Sequence, residues 1–208
     1  MFTDRKDAGV KLGRELQRRG YSGVPVFGIP NGGVEVAAYT ARAIGSSPSL
    51  LISRKLPFPH NPESGFGAIA EDGSTVILEG PAGKVNETER ENIAEQQKEE
   101  IKRRIRVLRW GKPFPDIAEK TVILVDDGIA MGSTMRAAIA MCRASEARSI
   151  VVAVPVAASR ARVEMETLAD DVIVLEEPPL FQAVAQVYEH WYDVSDEEVR
   201  SFLEKTAE

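Results

Sequence analysis

The residues best suited to chemistry lie in one stretch, Thr121-Val122-Ile123-Leu124-Val125-Asp126-Asp127-Gly128-Ile129-Ala130-Met131-Gly132-Ser133-Thr134. It reads as a buried strand, two carboxylates at its carboxyl end, a glycine-bounded loop, and a hydroxyl pair that opens a helix. Ligands of open α/β sheets bind at the carboxyl ends of strands, so the position suits a site. The loop from Gly128 to Thr134 can turn backbone N–H groups toward a phosphate, helped by a helix N-terminus and two hydroxyls. Carboxylates are poor neighbours for phosphate. Asp126 and Asp127 make sense instead as acceptors for sugar hydroxyls, or as holders of a hydrated Mg²⁺ shared with the ligand.

Competing motifs fit less well. A Walker A loop needs four residues between its glycines and then a lysine, but three separate Gly128 from Gly132 and Ser133 follows. The Gly-x-Gly-x-x-Gly dinucleotide fingerprint is absent from this turn. A receiver-like phosphoacceptor would use Asp126 or Asp127, but would leave the glycine loop and Ser133-Thr134 without a purpose. A lone Asp-Asp pair would be read as a strand end, with Ser133 or Thr134 as a helix cap. The whole pattern asks for more. His60 and His190 are the only histidines, so no Ser-His-Asp set is persuasive.

These residues need elements to hold them. Val24–Ile29, Ser49–Ser53, Thr121–Val125, Ile150–Val154 and Val172–Leu175 read as short apolar strands separated by helical patterns. That alternation predicts a parallel sheet covered on both faces. After the first strand, Val34, Ala37, Ala38, Ala41 and Ile44 share one helical face that Gly45 can end. Thr3 can cap an N-terminal helix with Ala8, Leu12 and Leu16 on one side and Gly20 as its stop. Asn86–Trp110 is a long helix with Asn86 and Glu89 as caps. Its early acids and late bases suit the helix dipole, and its charges read as a solvated face. Pro57–Gly83, rich in Pro and Gly, is predicted to be a long loop with a short strand near Val76–Leu78.

The composition bounds the rest. The 208 residues suit one domain, and 43% apolar content supports an ordered core. Lys+Arg 26 against Asp+Glu 32 gives −6, which argues against a nucleic-acid surface. The single cysteine, Cys142, excludes an internal disulfide and falls in an apolar helical setting that suits an inert thiol. The residues from Met1 to Asp7 lack the apolar stretch of a signal peptide, and the apolar run Ile150–Ala158 is too short to span a bilayer. The expectation is a cytoplasmic protein with no membrane contact.

Val122–Thr134 resembles the phosphoribosyl-pyrophosphate signature of the type I phosphoribosyltransferases, and the strand order from Val24 to Leu175 is similar to theirs. The resemblance implies a single α/β domain over 1–208, its parallel sheet flanked by helices on both faces, with a small hood and a long flexible loop. The core would run from about 21 to 176 and the hood from about 177 to 208, with an N-terminal contribution possible within the same fold. It implies transfer of phosphoribose from 5-phosphoribosyl-1-pyrophosphate to a small nitrogen acceptor of nucleobase type, with Mg²⁺ as cofactor and room for a homodimer. Asp126 and Asp127 would bind the ribose hydroxyls and the metal. Gly128, Ile129, Ala130, Met131, Gly132, Ser133 and Thr134 would hold the 5-phosphate. Pro30, Asn31, Gly32 and Gly33 would face the pyrophosphate, with Arg54, Lys55 and His60 beside it. Lys55 and Asp127 are the expected catalytic pair.

One position departs from the family. Purine-salvage members place an acid three residues after the second aspartate, where this chain has Ala130, which weakens a hypoxanthine or guanine assignment. The hood aromatics Tyr188, Trp191 and Tyr192 could stack on a base or pack against the body. Ser195-Asp196-Glu197-Glu198 reads as a helix start without chemistry. A non-catalytic sensor of phosphoribosyl pyrophosphate or a nucleotide would use the same residues.

Overall fold

The computed structural model describes residues 1–204; the last four residues of the expected hood, 205–208, lie outside the described residues. Five strands form a parallel sheet: β1 (Val26–Gly28), β2 (Pro48–Leu50), β6 (Thr121–Val125), β7 (Ser149–Val156) and β8 (Asp171–Glu176). Their order is β2-β1-β6-β7-β8. Alternate side chains of the central strand point to opposite faces, and both faces are covered. Ile123 and Val125 pack with α1 (Arg5–Arg18) and α2 (Gly32–Ala43) through Leu12, Leu16, Val36 and Ala41. Val122 and Leu124 pack with α5 (Ser133–Ala144) and α6 (Ser159–Glu166) through Met135, Ala138, Ala161 and Met165. Cys142 is buried in the same layer, and desolvation pushes its thiol up to about 12. It is an inert core residue. The expected α/β architecture is present.

Pro57–Gly83 is not the loop that its composition suggests. Strands β3 (Ser53–Phe58), β4 (Asn61–Ala70) and β5 (Thr75–Ile77) form an antiparallel sheet, followed by the short helix α3 (Glu79–Ala82). The prolines sit where a ladder tolerates them: Pro57 lies at a register shift between β3 and β4, and Pro59 in the turn between them. Leu56, Phe66, Ala68, Ile69 and Ala70 are all buried. They anchor the base of this sheet against α5 and against α4 (Glu87–Arg109). An inward-facing ion pair adds to the anchor. Arg109 of α4 binds Glu71 through both of its terminal nitrogens, and Glu71 also accepts from the Ile52 N–H at 3.0 Å.

The α4 cap is as expected: the Asn86 side chain accepts from Glu89 N–H at 2.9 Å, and the Glu89 carboxylate accepts from Asn86 N–H in return. Its charge run is only partly a solvated face. Lys98, Lys102 and Arg103 pair with acids along the helix, but Arg104 reaches Asn31 and Arg109 is buried. At the amino end of α1 the cap is Asp4, not Thr3, with Asp4 Oδ1 accepting from Asp7 N–H at 2.7 Å. Thr3 is taken up in pairing, its carbonyl accepting from His190 N–H at 2.9 Å.

Segments from both ends of the described chain pack together over the sheet. Phe2 forms a parallel bridge with Tyr188, with Phe2 N–H donating to Val187 O at 2.7 Å and Glu189 N–H to Phe2 O at 2.9 Å. A 3₁₀ turn, Val184–Val187, and α7 (Asp196–Glu204) belong to the same C-terminal region. Ser195 caps α7 as its sequence suggests, accepting from Glu198 N–H at 3.2 Å.

Amide exchange tests the anchored sheet. Buried ladders open only in large cooperative events, so Phe66, Ala68 and Ala70 should exchange as slowly as Thr121–Val125, and fast exchange should be confined to the turn around His60. Uniformly fast exchange across 57–83 would restore the mobile-loop reading.

Candidate functional site

Strands β1 and β6 lie side by side, but the chain leaves β1 for β2 on one side and β6 for β7 on the other. The loops at their carboxyl ends diverge and open a crevice, the usual ligand position of such sheets. Ile29 N–H donates to Val125 O at 2.9 Å and holds the β1 loop against the end of β6. The two loops then touch through glycines. A Cβ on Gly32 would lie 2.0 Å from Asp127 Oδ2, and one on Gly33 would lie 2.8 Å from the Cα and Oδ1 of Asp126. Only glycine permits that approach. The Pro30–Asn31 peptide is cis. The Asn31 side chain is held by Val194 O, to which its Nδ2 donates at 2.6 Å, and by Arg104, whose NH1 donates to Oδ1 at 2.7 Å.

Asp126 Oδ1 accepts from the Asp127 N–H at 2.9 Å. Asp127 Oδ2 accepts from Arg5 Nε at 2.9 Å, and its backbone carbonyl accepts from the Tyr188 hydroxyl at 2.7 Å. Burial, then the neighbouring Asp127 charge, push the Asp126 carboxyl well above the usual aspartate range. Burial raises Asp127 as well, and the Arg5 guanidinium opposes that rise.

Asp126 borders a cleft of about 370 Å³ whose floor is the run Gly128–Thr134. Ile129 is tied to the end of β7: its N–H donates to Val156 O at 2.9 Å, and Ala158 N–H donates to Ile129 O at 2.9 Å. This fixes the near end of the loop and takes the Ile129 N–H out of use for a ligand. Gly132, at φ 74°, turns the chain into α5, and Arg136 N–H donates to Gly132 O at 2.9 Å. The N–H groups at the start of α5 have no partner within the helix, and they sit at its positive end. The cleft floor therefore runs into the amino end of α5.

The family model described as "Phosphoribosyl transferase domain" matches residues 6–192. The chain belongs to this family. Two Mycobacterium tuberculosis proteins, each named "Putative phosphoribosyl transferase", are 36% identical to it over 212 aligned residues. The alignment takes in 99% of this chain and 47% of each relative, so the chain spans about half the length of the curated relatives it matches. The crystal structure of TT1426 from Thermus thermophilus is similar throughout, with TM-score 0.82 and 34% identity over 99% of this chain and 98% of that one. AQ2163 from Aquifex aeolicus, at TM-score 0.51 and 11% identity over 82% of this chain and 73% of that one, shares the fold.

Within this phosphoribosyl transferase domain, the residues singled out from the sequence do not all meet. Asp126, the run Gly128–Thr134 and Lys55 border the cleft, and Pro30–Gly33 adjoins Asp126 and Asp127. Lys55 crosses the face of β4 at Gly65, where a Cβ would lie 2.6 Å from Lys55 Cγ. Arg54 faces the other way. Neighbouring strand residues point to opposite faces, and Arg54 Nε donates to Gln97 Oε1 of α4 at 3.0 Å. Desolvation there, and then Arg104, lower its pKa. His60 is exposed in the β3–β4 turn and does not border the cleft.

Arg5 is not evident from the sequence, and the cleft residues Gln182 and Val184 fall in the expected hood without being singled out as lining the site. Nothing local marks them; an arginine in a first helical turn is unremarkable until its carboxylate is seen. The aromatics serve the body. Trp191 lies over the Arg5 guanidinium at 4.0 Å, the Tyr192 hydroxyl donates to Glu35 at 2.7 Å, and Tyr188 holds Asp127.

Asp126→Asn should stabilise the ligand-free chain at neutral pH, because burial and the neighbouring Asp127 charge raise the native Asp126 carboxyl. Because the folded-state pKa is raised, the native carboxyl keeps a proton that the unfolded chain releases, so wild-type stability falls as pH rises through that window. Asparagine lacks this penalty and can still accept the Asp127 N–H. Urea melts at acidic and neutral pH should show the two proteins diverging as pH rises; parallel curves would refute the electrostatic account.

Proposed function

We propose that this chain is a single-domain phosphoribosyltransferase that moves phosphoribose from 5-phosphoribosyl-1-pyrophosphate to a nitrogen acceptor. The observation that carries the reading is the cleft itself. The glycine-bounded loop 128–134, Asp126 and Lys55 of the small sheet border it, and Asp127 follows Asp126 at the carboxyl end of β6. In this reading the bond from ribose C1 to the pyrophosphate oxygen breaks, that oxygen keeps the electron pair, and the acceptor nitrogen bonds to C1. The N–H groups from Ala130 to Thr134 hold the 5-phosphate, with the Ser133 and Thr134 hydroxyls. Asp126 and Asp127 accept from the ribose hydroxyls. The Pro30–Gly33 loop and Lys55 meet the pyrophosphate, whose charge grows as it departs.

The donors suit Mg²⁺ only in company. No group of three or more His, Cys, Asp or Glu side chains able to hold a metal occurs among the described residues, and Arg5 occupies one oxygen of Asp127. A cation held mainly by ligand oxygens and water, with Asp126 and Asp127 as its protein contacts, fits this set. Bound there, Mg²⁺ would neutralise charge on the leaving pyrophosphate. Gln182, Val184 and Met131 at the cleft edge are the candidate neighbours of the acceptor, which is expected to be a nucleobase-like compound. Ala130 supplies no acid for it.

The net charge of −6 fits a small ligand better than a nucleic acid. No helix among the described residues is long and apolar enough to cross a membrane. A cytoplasmic location and a homodimer belong to the same proposal. The turn of Arg54 away from the cleft favours one second reading, a sensor that binds phosphoribosyl pyrophosphate without turnover.

Calorimetry with phosphoribosyl pyrophosphate and Mg²⁺ tests the binding, and pyrophosphate release with a panel of free bases tests turnover. Asp126→Asn and Asp127→Asn should each weaken binding by about 1.5–3 kcal/mol, the usual worth of a hydrogen bond to a charged group. Unchanged affinity in both folded variants would remove the carboxylates from the site. Lys55→Met should lower turnover more than it lowers affinity for ribose 5-phosphate. Tight binding with no release from any base would establish the sensor.

The loop has its own test. A β-branched residue at φ 74° is strained by roughly 1–3 kcal/mol, and a Cβ on Gly132 would lie 3.1 Å from Met165 Cε. Gly132→Val should therefore lower the melting temperature and abolish inorganic phosphate binding. A crystal structure of the variant with the anion still seated on 130–134 would count against the assignment.

A further inference from the structure

The Arg5 side chain is 3% exposed and the Asp127 side chain 15%. Arg5 Nε donates to Asp127 Oδ2 at 2.9 Å, and Arg5 NH1 donates to Tyr192 O at 2.8 Å. The guanidinium lies 4.0 Å from the centre of the Trp191 ring and 5.3 Å from that of Tyr192. A planar, charged group clamped between a carboxylate, a carbonyl and two aromatic faces has few rotamers left. The β1 loop closes on the same point, since a Cβ on Gly32 would lie 2.6 Å from Arg5 Nε. Tyr188 meanwhile holds the Asp127 carbonyl. Asp127 is thus fixed from its backbone and from one carboxylate oxygen, and the other oxygen is free of Arg5.

The geometry points to Arg5 as a positioning residue that orients Asp127 toward the ribose hydroxyls of the bound ligand, an inference that rests on the phosphoribosyl reading above. Arg5 need not touch the ligand. It fixes the direction in which the second carboxylate oxygen is offered. The N-terminal helix is then part of the ribose subsite although it contributes nothing to the cleft wall. The anion loop, by contrast, is built on α5 and the end of β7 and owes nothing to Arg5. An Arg5 substitution should therefore separate ribose recognition from phosphate recognition.

The experiment measures two ligands, phosphoribosyl pyrophosphate with Mg²⁺ and inorganic phosphate alone, on wild type, Arg5→Ala and Arg5→Lys. Losing the charge-assisted contact should weaken phosphoribosyl pyrophosphate roughly tenfold or more in Arg5→Ala. Phosphate affinity should stay at the wild-type value. Arg5→Lys keeps the charge without the fork, and should recover part of the loss. Millimolar guanidinium should recover part of it in Arg5→Ala. If Arg5→Ala does not fold, Arg5→Lys decides alone, with weakened phosphoribosyl pyrophosphate and unchanged phosphate as the expected result. Equal loss of both ligands would reduce Arg5 to a structural role, and loss of neither would also overturn the inference. A wild type that binds phosphate but not phosphoribosyl pyrophosphate would instead bring down the functional reading beneath it.

Discussion

Two carboxylates at the end of a buried strand repel one another and resist leaving water, and much of the chain around them answers that demand. Asp126 keeps one oxygen on a backbone N–H. Asp127 is met by a buried guanidinium, whose Nε lies 2.9 Å from its Oδ2. Removing one partner of such a pair leaves an uncompensated charge and costs several kcal/mol. The glycines at 32 and 33 follow from the same requirement, because any side chain there would displace the acids or the arginine. The carboxylates thus set the composition of a loop almost a hundred residues earlier in sequence, on the order of one small domain's length.

The sheet places this group with little freedom. Parallel register between β1 and β6 pairs Gly28 with Val125, so the two following loops begin at the same height. The bond from Ile29 to Val125 carries that registration one residue past β1, and the bridge of Ile129 to Ala157 ties the loop after β6 to the residue that follows β7. The crevice is consequently defined by backbone hydrogen bonds on both flanks, and side chains only furnish it. A site on such a frame keeps its geometry when surface residues change.

How much of this can be read from the residues depends on distance along the chain. The strands, α2, α4 and α5 are written in short periodic patterns with local caps such as Asn86 and Glu89, and these are legible. So is the strand–acid–acid–loop pattern of 121–134, whose parts are contiguous. The small sheet is hidden because Pro57, Pro59 and Gly65 read as breakers, although edges, turns and bulges accept them. Period-two alternation alone places Arg54 and Lys55 on opposite faces, and that inference is available from the sequence. Arg5 is out of reach: it meets Asp127 across 122 residues, and no local signal links them.

The pairing of Phe2 with Tyr188 has a consequence for how the protein is made. Domains emerge from the ribosome amino end first, so α1 and the five strands are available before residues 187–192 exist. Until that segment arrives, Phe2 has no bridge partner, Arg5 lacks the Trp191 and Tyr192 faces, and the Asp127 carbonyl waits for the Tyr188 hydroxyl. The arrival of residues 187–192 completes the contacts around Arg5 and Asp127.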